Sequence, residues 1–290
     1  MQRALSLKPM KQAAVRRSSS IRKIQQTNVS GVLLSNSAAL TEVCHDLKTP
    51  IQTIRGALQL LSLSLDSGQS NSSSARYIDM LDGSSRHLMR MVSNLVDQLR
   101  LEAGILAPYP ICFDLAEHLN LLVSLSSQYA AFAGIALELE GCDRELFALL
   151  DVEKLDKILL NLISNALKYA HDDGRVCVRL TCSGRRLTIS VQDDGPGIEP
   201  ERMDHLFHSP ADLEPDVFGG ARMGLILSRE LAELQGGHLT IKNLPEGGVR
   251  AQVSLPYIPG DGVPSGMMPS ESELISLLRT ELSAVLTRLR

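Results

Sequence analysis

The sequence predicts an α+β protein, in which an antiparallel helical hairpin is followed by a two-layer α/β sandwich. Two observations carry this prediction: apolar residues recur at heptad-like spacing near the start of the chain, and helical and strand-like segments then alternate. The 290 residues are enough for about two domains. Because one hairpin has an apolar seam but no closed core, we expect two copies to form a dimeric four-helix bundle. The alternative is that the hairpin packs on the rest of its own chain.

The hairpin is predicted from two long apolar patterns that are separated by a short turn. Residues 32–66 form one predicted helix and residues 75–102 form the second. The segment 66–74 is rich in Ser, Gly and Asn, a composition typical of a turn. Pro50 lies inside the first helix, so we expect a kink near Asp46. The seam consists of Val43, Leu47, Ile51, Ile54, Leu58, Leu61 and Leu65 in the first helix, and Ile78, Leu81, Leu88, Val92, Leu95 and Leu99 in the second.

The α/β sandwich is predicted from the segments that follow a break at Ala107–Pro110. The two prolines in that break are typical of a linker. Beyond it, helical periodicity alternates with short strand-like runs, which favours helices packed on a sheet. The predicted helices are 114–133, 152–170 and 223–235, and the predicted strands are 135–139, 176–181, 187–192, 238–243 and 249–255.

The chain is expected to divide into four parts. These are a basic and flexible arm at 1–31, the hairpin at 32–104, the sandwich at 105–258, and a linker with a C-terminal amphipathic helix at 259–290. The first 41 residues carry seven Lys or Arg and no acid, which fits a mobile arm or an organelle transit peptide. Ser270 and Glu273 predict a capping box for the final helix. That helix either packs on the sandwich or docks a partner.

Composition excludes several functional classes. The net charge is −4, there is no Trp, and aromatic residues make up 3%, so we expect no nucleic-acid partner. The five Cys form no C-x-x-C pair, which argues against a zinc site or a disulfide framework and fits a reducing, cytoplasmic location. No apolar run reaches the ~18 residues of a membrane helix, so no integral membrane segment is expected.

The first chemical motif is the run His45-Asp46-Leu47-Lys48-Thr49-Pro50. His45 and Thr49 are four apart and share one helical face. The carboxylate of Asp46 can hold the tautomer of the imidazole and accept its proton, which makes the ring a competent nucleophile. A single helical His is more often an ordinary surface residue, but this context makes that interpretation weaker.

The second motif lies in the predicted helix 152–170, where Asn161, Asn165 and Lys168 share one face. Amide oxygens are hard ligands that suit Mg²⁺, and an ammonium group suits phosphate. Paired Asn side chains can also serve only as caps or as hydrogen bonds inside a core.

Two glycine-rich motifs complete the set. Asp193 directly follows the predicted strand 187–192 and precedes Gly195-Pro196-Gly197, so an acceptor carboxylate is followed by a backbone that a ligand can approach closely. Gly219-Gly220 and Gly224 precede a predicted helix, a position that suits phosphate binding. Either motif by itself is also typical of an ordinary turn.

Together, the order and spacing of these motifs resemble the transmitter region of bacterial sensor histidine kinases. His45–Pro50 is similar to the phosphoacceptor box of that family, and Asn161–Tyr169 is similar to its asparagine box. Asp193–Ile198 and Gly220–Leu225 are similar to its two glycine boxes. The resemblance covers residues 32–257 and implies a dimeric hairpin joined to an ATP-binding sandwich of the Hsp90 and MutL type.

The resemblance also implies a reaction and its residues. ATP binds the sandwich with Mg²⁺, its γ-phosphoryl group passes to His45, and the receiver domain of a response regulator then accepts it on an aspartate. Asp46 is implied as the base, Thr49 as the residue that orients water in dephosphorylation of the regulator, Asn165 as the main Mg²⁺ ligand, and Asn161 as its support. The implied nucleotide site further includes Lys168, Tyr169, Asp193, Gly195, Gly197, Ile198, Gly220, Arg222, Gly224 and Leu225.

One motif departs from the family pattern, because Arg222 stands where the second glycine box has its middle glycine. The departure implies weak ATP binding or an enzyme biased toward phosphatase activity, although the guanidinium can also contact phosphate. The alternative to an active kinase is therefore a weak or inactive pseudokinase that acts as a regulator-binding scaffold. A third hypothesis is an Hsp90-like or MutL-like ATPase. The input is expected from the terminal segments or from a separate sensor or regulatory protein.

Overall fold

The computed structural model describes residues 47–64, 71–142, 144–207, 221–282 and 285. The predicted arm at 1–31 and the predicted kink near Asp46 lie outside these residues. The described part nevertheless contains most of the hairpin and of the sandwich, so it tests the predicted architecture directly.

The predicted helical hairpin is confirmed. Helix α1 covers 47–64 and helix α2 covers Asn71–Glu102. The hydroxyl groups of Ser64 and Ser74 lie 3.1 Å apart and join the two helices near the turn. The predicted start of the second helix at residue 75 is wrong, because α2 already begins at Asn71. Asn and Ser are frequent both in turns and at helix starts, so composition alone does not separate the two.

The sandwich is built on a five-stranded mixed sheet. The strands of the described chain are β1 (Ile111–Asp114), β2 (Ala136–Glu140), β3 (Phe147–Leu150), β4 (Arg175–Ser183), β5 (Arg186–Asp193), β6 (His238–Asn243) and β7 (Val249–Pro256). The sheet has the order β2-β4-β5-β7-β6, in which β2 and β4 are parallel and the other neighbours are antiparallel. The five strands predicted from the sequence are these five.

Three long helices pack on this sheet and enclose the core. They are α3 (Leu115–Phe132), α4 (Val152–Tyr169) and α6 (Ala221–Leu234), and a short helix α5 (Pro200–Met203) lies between α4 and α6 in the chain. Successive residues of β4 and β5 alternate between buried and more exposed positions, and the Val, Leu and Ile side chains take the buried ones, as expected for a sheet with one covered face. Among the described helices, none is both long and apolar enough to cross a bilayer.

Two short strands escape prediction. β1 and β3 form a separate antiparallel pair, in which Ile111 lies opposite Leu150. Each strand has four residues, and three successive residues of β1 are buried. Such short runs show no alternation between apolar and polar positions, so periodicity cannot identify them.

The C-terminal helix packs back on its own chain, which decides between the two predicted alternatives. Helix α7 covers Glu271–Glu281 and contacts α2, α3 and α4. The predicted capping box is present: the Ser270 hydroxyl accepts from the Glu273 backbone, and the Glu273 carboxylate accepts from the Ser270 backbone. Leu274 and Leu278 are buried and belong to the main hydrophobic core.

A buried His–Asp pair lies between α3 and α4. Nε2 of His118 is 2.5 Å from Oδ1 of Asp156, and both side chains are almost completely buried. The other oxygen, Oδ2, has no hydrogen-bond partner among the described residues. Burial raises the pKa of Asp156, although the hydrogen bond from His118 opposes that shift. The carboxyl group therefore depends on His118 for its main compensation.

We expect His118→Leu to lower the free energy of unfolding by about 3–5 kcal/mol, because it leaves the carboxyl group of Asp156 buried without its partner. Denaturant unfolding followed by circular dichroism measures the loss. His238→Leu is the matched control: His238 is exposed, so its replacement should change stability by no more than about 0.5 kcal/mol. Equal stability of the two variants would contradict this account.

Candidate active site

One face of α4 presents the polar residues of the second motif. Helix α4 begins after Asp151, whose carboxylate accepts a hydrogen bond from the backbone of Lys154, and its apolar faces are buried in the core. Asn161 is buried, and its Nδ2 donates to the hydroxyl of Ser228 on α6 over 2.9 Å. One turn later, Nδ2 of Asn165 is buried and has no hydrogen-bond partner in the described part of the chain. A ligand can supply that partner.

Lys168 places a positive charge at the end of α4, close to helix α2 of the hairpin. Nζ of Lys168 lies 4.9 Å from the centre of the Tyr169 ring. The positive charges of Arg90 and Lys168, together with burial as the largest cause, lower the pKa of His87 on α2 to about 4. Lys168 is therefore close enough to α2 to act electrostatically on that helix.

A buried carboxylate ends strand β5. Oδ1 of Asp193 accepts hydrogen bonds from the backbone N–H groups of Gly195, at 3.0 Å, and Val249, at 3.1 Å. Burial raises the pKa of Asp193, and the two backbone hydrogen bonds oppose that shift. Because both bonds go to one oxygen and their donors are backbone groups, the carboxylate is held in one orientation by the fold itself.

The loop after Asp193 needs its glycines for close approach. A Cβ on Gly195 would lie 2.3 Å from the carbonyl oxygen of Tyr169, so the loop lies directly against the end of α4. Gly197 has a φ of 84°, which disfavours other residues. Both backbone groups of Ile198 are bonded to the side chain of Asn243, which donates to its carbonyl and accepts from its N–H.

The second glycine motif meets α4 from the other side. A Cβ on Gly224 would lie 2.3 Å from Oδ1 of Asn161, so a side chain at this position would force the Asn161 amide to shift. Leu225, the next residue, packs half-buried against the core. The structure thus brings the first glycine motif, and Gly224 of the second, against the part of α4 that carries the asparagine motif.

The predicted phosphoacceptor residues are only partly described. Thr49 is exposed on α1, and its carbonyl oxygen accepts from the hydroxyl of Thr53. His45, Asp46 and Gly220 lie outside the described residues, as does the side chain of Arg222. The predicted effect of Arg222 on the glycine motif therefore stays a prediction.

Sequence reasoning missed two residues that hold the site together. Ser228 bonds Asn161 across 67 positions of sequence, and Asn243 bonds Ile198 across 45. Ser228 lies in the segment 228–231, which resembles the family's continuation after the second glycine box, and Asn243 ends a predicted strand. Neither position reveals its role, because the role comes from a partner that only the fold brings near.

Comparison with known proteins agrees with this architecture. The family model for the His Kinase A (phospho-acceptor) domain matches residues 35–104. The model for the histidine kinase-, DNA gyrase B- and HSP90-like ATPase matches residues 150–259. The chain therefore belongs to the histidine kinases and carries their transmitter region, a helical hairpin region followed by an α/β ATPase domain.

Two known histidine kinases are similar to most of this chain, but the match covers only part of their own length. Sensor protein ChvG of Rhizobium meliloti is 31% identical over 241 residues, which is 78% of this chain and 41% of ChvG. The circadian input-output histidine kinase CikA of Synechococcus elongatus is 29% identical over 209 residues, which is 70% of this chain and 28% of CikA. The chain thus spans less than half the length of these relatives.

Solved structures confirm the predicted fold class. The histidine kinase AdeS of Acinetobacter baumannii superposes with a TM-score of 0.56 at 19% identity, over 73% of this chain and 98% of AdeS. Full-length ShkA in complex with AMPPNP gives a TM-score of 0.55 at 23% identity, over 78% of this chain and 46% of ShkA. At these identities the agreement concerns the fold.

The raised pKa of Asp193 leads to a pH-dependent prediction. A carboxyl group whose pKa is raised in the fold stabilises the protein while it is protonated, and that contribution is lost as pH rises through the raised value. Asn in its place keeps an acceptor oxygen for Gly195 and Val249 but carries no charge. We expect the stability of Asp193→Asn relative to the wild type to increase as pH rises from 4 to 8.

Urea unfolding at several pH values measures this difference, and Asp194→Asn is the matched control. Asp194 accepts from the backbone N–H groups of His171 and Arg175, and it is exposed at the surface. A stability difference for Asp193→Asn that stays constant with pH would contradict the assigned electrostatics.

Proposed function

We propose that this protein uses ATP to phosphorylate His45 and then passes the phosphoryl group to an aspartate in the receiver domain of a response regulator. The observation that carries the proposal is Nδ2 of Asn165, which is buried and has no hydrogen-bond partner among the described residues. Asn165 lies in the matched ATPase domain, between two glycine motifs that permit close approach. A buried polar group without a partner is costly, so this amide fits a site that is completed by a ligand.

The nucleotide end of the site is assigned from the residues around Asp193. Its carboxylate, held by two backbone N–H groups, suits the exocyclic amine of adenine. Gly195, Gly197 and Ile198 shape the adenine pocket, and Tyr169 flanks the nucleotide. The second glycine motif, with Gly220, Arg222, Gly224 and Leu225, is assigned to the phosphates beside the start of α6.

The phosphate end is assigned to the polar edge of α4. Asn165 would hold Mg²⁺ through its amide oxygen, with Asn161 as a supporting residue, and Lys168 faces the phosphates. When bound, Mg²⁺ neutralises charge on the phosphates during transfer. Asn161 is fixed by Ser228, so the amide face of α4 is held rigid before the nucleotide binds.

The transfer itself uses the predicted phosphoacceptor residues. A nitrogen of the His45 imidazole forms a bond to the γ-phosphorus while the bond to the ADP oxygen breaks, and Asp46 accepts the proton of the ring. In the second step, the regulator aspartate forms an O–P bond and the N–P bond to histidine breaks. Thr49 is assigned to orient water when the regulator is dephosphorylated, for which its exposed position on α1 is suitable.

The partners follow from the same assignment. The receiver domain of a response regulator is the protein substrate, and a separate sensor or regulatory protein is a further partner if the terminal segments do not supply the input. We place the reaction in the cytoplasm, where ATP and such regulators meet.

We expect incubation with γ-labelled ATP and Mg²⁺ to give an acid-labile, base-stable label that His45→Gln abolishes. His238→Gln, which changes an exposed histidine outside the motif, should keep the label. Absence of label in the folded wild-type dimer would contradict the proposal. Nucleotide binding without label, together with a stable regulator complex, would favour the pseudokinase scaffold, and ATP hydrolysis independent of His45 would favour an Hsp90-like or MutL-like ATPase.

We also propose that the hairpin forms the homodimer, because its predicted seam is uncovered in the single chain. Five seam residues are exposed by 44% or more of their surface, which is unusual for such a regular apolar pattern. They are Ile51, Leu58, Ile78, Val92 and Leu99. A second copy would cover them in a four-helix bundle.

Two charges introduced at this seam should separate the dimer. We expect Leu58→Glu with Val92→Glu to weaken dimerisation by at least tenfold, since each buried carboxylate would have to be desolvated. Light scattering coupled to size-exclusion chromatography measures the mass across a dilution series. Met267→Glu changes an exposed apolar residue outside the hairpin and should leave the mass unchanged; the same mass for all three proteins would refute the assigned interface.

A further inference from the structure

Helix α7 has no role in the proposed reaction and lies beyond residue 259, where the ATPase match ends. It nevertheless packs into the hydrophobic core, as the helices of the matched ATPase domain do. Leu274, Leu278 and Leu282 are buried to 1% exposure or less and join the main core. The helix contacts α2 of the phosphoacceptor hairpin and also α3 and α4 of the ATPase domain.

Glu281, the last residue of α7, forms hydrogen bonds to both the hairpin and the ATPase domain through its carbonyl oxygen. The carbonyl oxygen of Glu281 accepts from Nη1 of Arg90 on α2 at 3.2 Å, and from the hydroxyl of Ser164 on α4 at 2.9 Å. Both donors are buried. Ser164 directly precedes Asn165, so this tie reaches the helix turn that carries the proposed Mg²⁺ ligand.

Charged side chains add further contacts among α7, α2 and α4. The carboxylate of Glu281 is buried at 3% exposure, close enough to Arg90 and Lys157 for both positive charges to act on it. Nζ of Lys157 donates to the hydroxyl of Ser93 at 3.1 Å and also pairs with Asp97, so α4 is tied to α2 directly. Separating the two parts would leave buried charges without partners, which is costly.

We propose that α7 is an intramolecular strap that holds the ATPase domain against the phosphoacceptor hairpin and restrains its movement. The strap is the segment Ser270–Leu282, anchored by its apolar face to the core and by Glu281 to Arg90 and Ser164. The regulatory consequence rests on the proposed function, because only a kinase of this type needs its ATPase domain to move.

Movement is required because two reactants must reach the same histidine in turn. The nucleotide held by the ATPase domain has to approach His45, and the receiver domain has to approach the phosphorylated ring afterwards. A domain tied to α2 through buried hydrogen bonds and charges exchanges slowly between these arrangements. The strap therefore sets an energy barrier to movement of the ATPase domain. A binding partner, or a change in the C-terminal segment 259–290, can lower that barrier.

The test removes the two ties without changing the apolar face of α7. Arg90→Met with Ser164→Ala deletes both donors to the Glu281 carbonyl. The matched control is Arg86→Met with Ser126→Ala: Arg86 pairs along α2 with Asp82, and the hydroxyl of Ser126 donates within α3 to Leu122. Ser164→Ala alone serves as a milder second variant.

Two measurements follow each protein. Spin labels carried by noncanonical amino acids replace exposed Ala75 on α2 and exposed Glu246 in the β6–β7 turn, and labelled chains are diluted with unlabelled chains so that each pair lies within one chain. Pulsed electron–electron double resonance spectroscopy then gives the distribution of distances between the hairpin and the ATPase domain. The initial rate of labelling by γ-labelled ATP is measured on the same proteins without spin labels.

We expect a broader distance distribution and about a 25-fold faster labelling rate in the double variant, because it deletes two hydrogen bonds and each bond of ordinary strength corresponds to about fivefold. The single variant should change in the same direction by less, and the control should match the wild type. An unchanged distance distribution would overturn the strap, and a broader distribution with slower labelling would overturn its restraining role. Absence of label in every protein would contradict the proposed function, while the distances would still decide whether the strap exists.

Discussion

The hydrogen bond between Asn161 and Ser228 is the constraint on which the arrangement of the site depends. It joins α4 to α6 inside the domain, and Gly224 lets the first turn of α6 lie directly against the same amide. Helix α4 therefore serves two purposes at once, since its apolar faces form the core and its polar edge forms the site. Any displacement of α6 would move the second glycine motif relative to Asn165 and Lys168.

On the other side of the site, two adjacent carboxyl groups at the end of β5 are also held by backbone hydrogen bonds. Asp193 accepts from the backbone of the loop that follows it and from the backbone of β7, so the carboxyl group at the end of β5 is oriented without the help of another side chain. Asp194, its neighbour, instead holds the connection between α4 and β4 by accepting from His171 and Arg175. Adjacent carboxylates thus have different tasks, because their side chains leave the strand end in different directions.

The hairpin and the ATPase domain are linked by more than the chain between them. Lys157 pairs with Asp97, Gln98 lies within hydrogen-bond distance of Glu230, and α7 covers part of the same surface. In the proposed reaction, the acceptor and the nucleotide belong to different domains, so these contacts bear on how often the two meet. The uncovered seam of the hairpin and the buried face of α7 indicate opposite partners: a second copy for the seam, and this same chain for the helix.

The amino-acid sequence by itself determined the class of fold, the hairpin, the five strands of the main sheet, and the motifs that identify the family. It could do so because heptad spacing, strand alternation and short glycine runs are local patterns, each set by the geometry of one element. Only the tertiary structure decided where α7 packs, that β1 pairs with β3, and that Ser228, Asn243 and the His118–Asp156 pair support the core and the site. These features are contacts between residues far apart in the chain, and the energy of such a contact depends on a partner that no local pattern specifies.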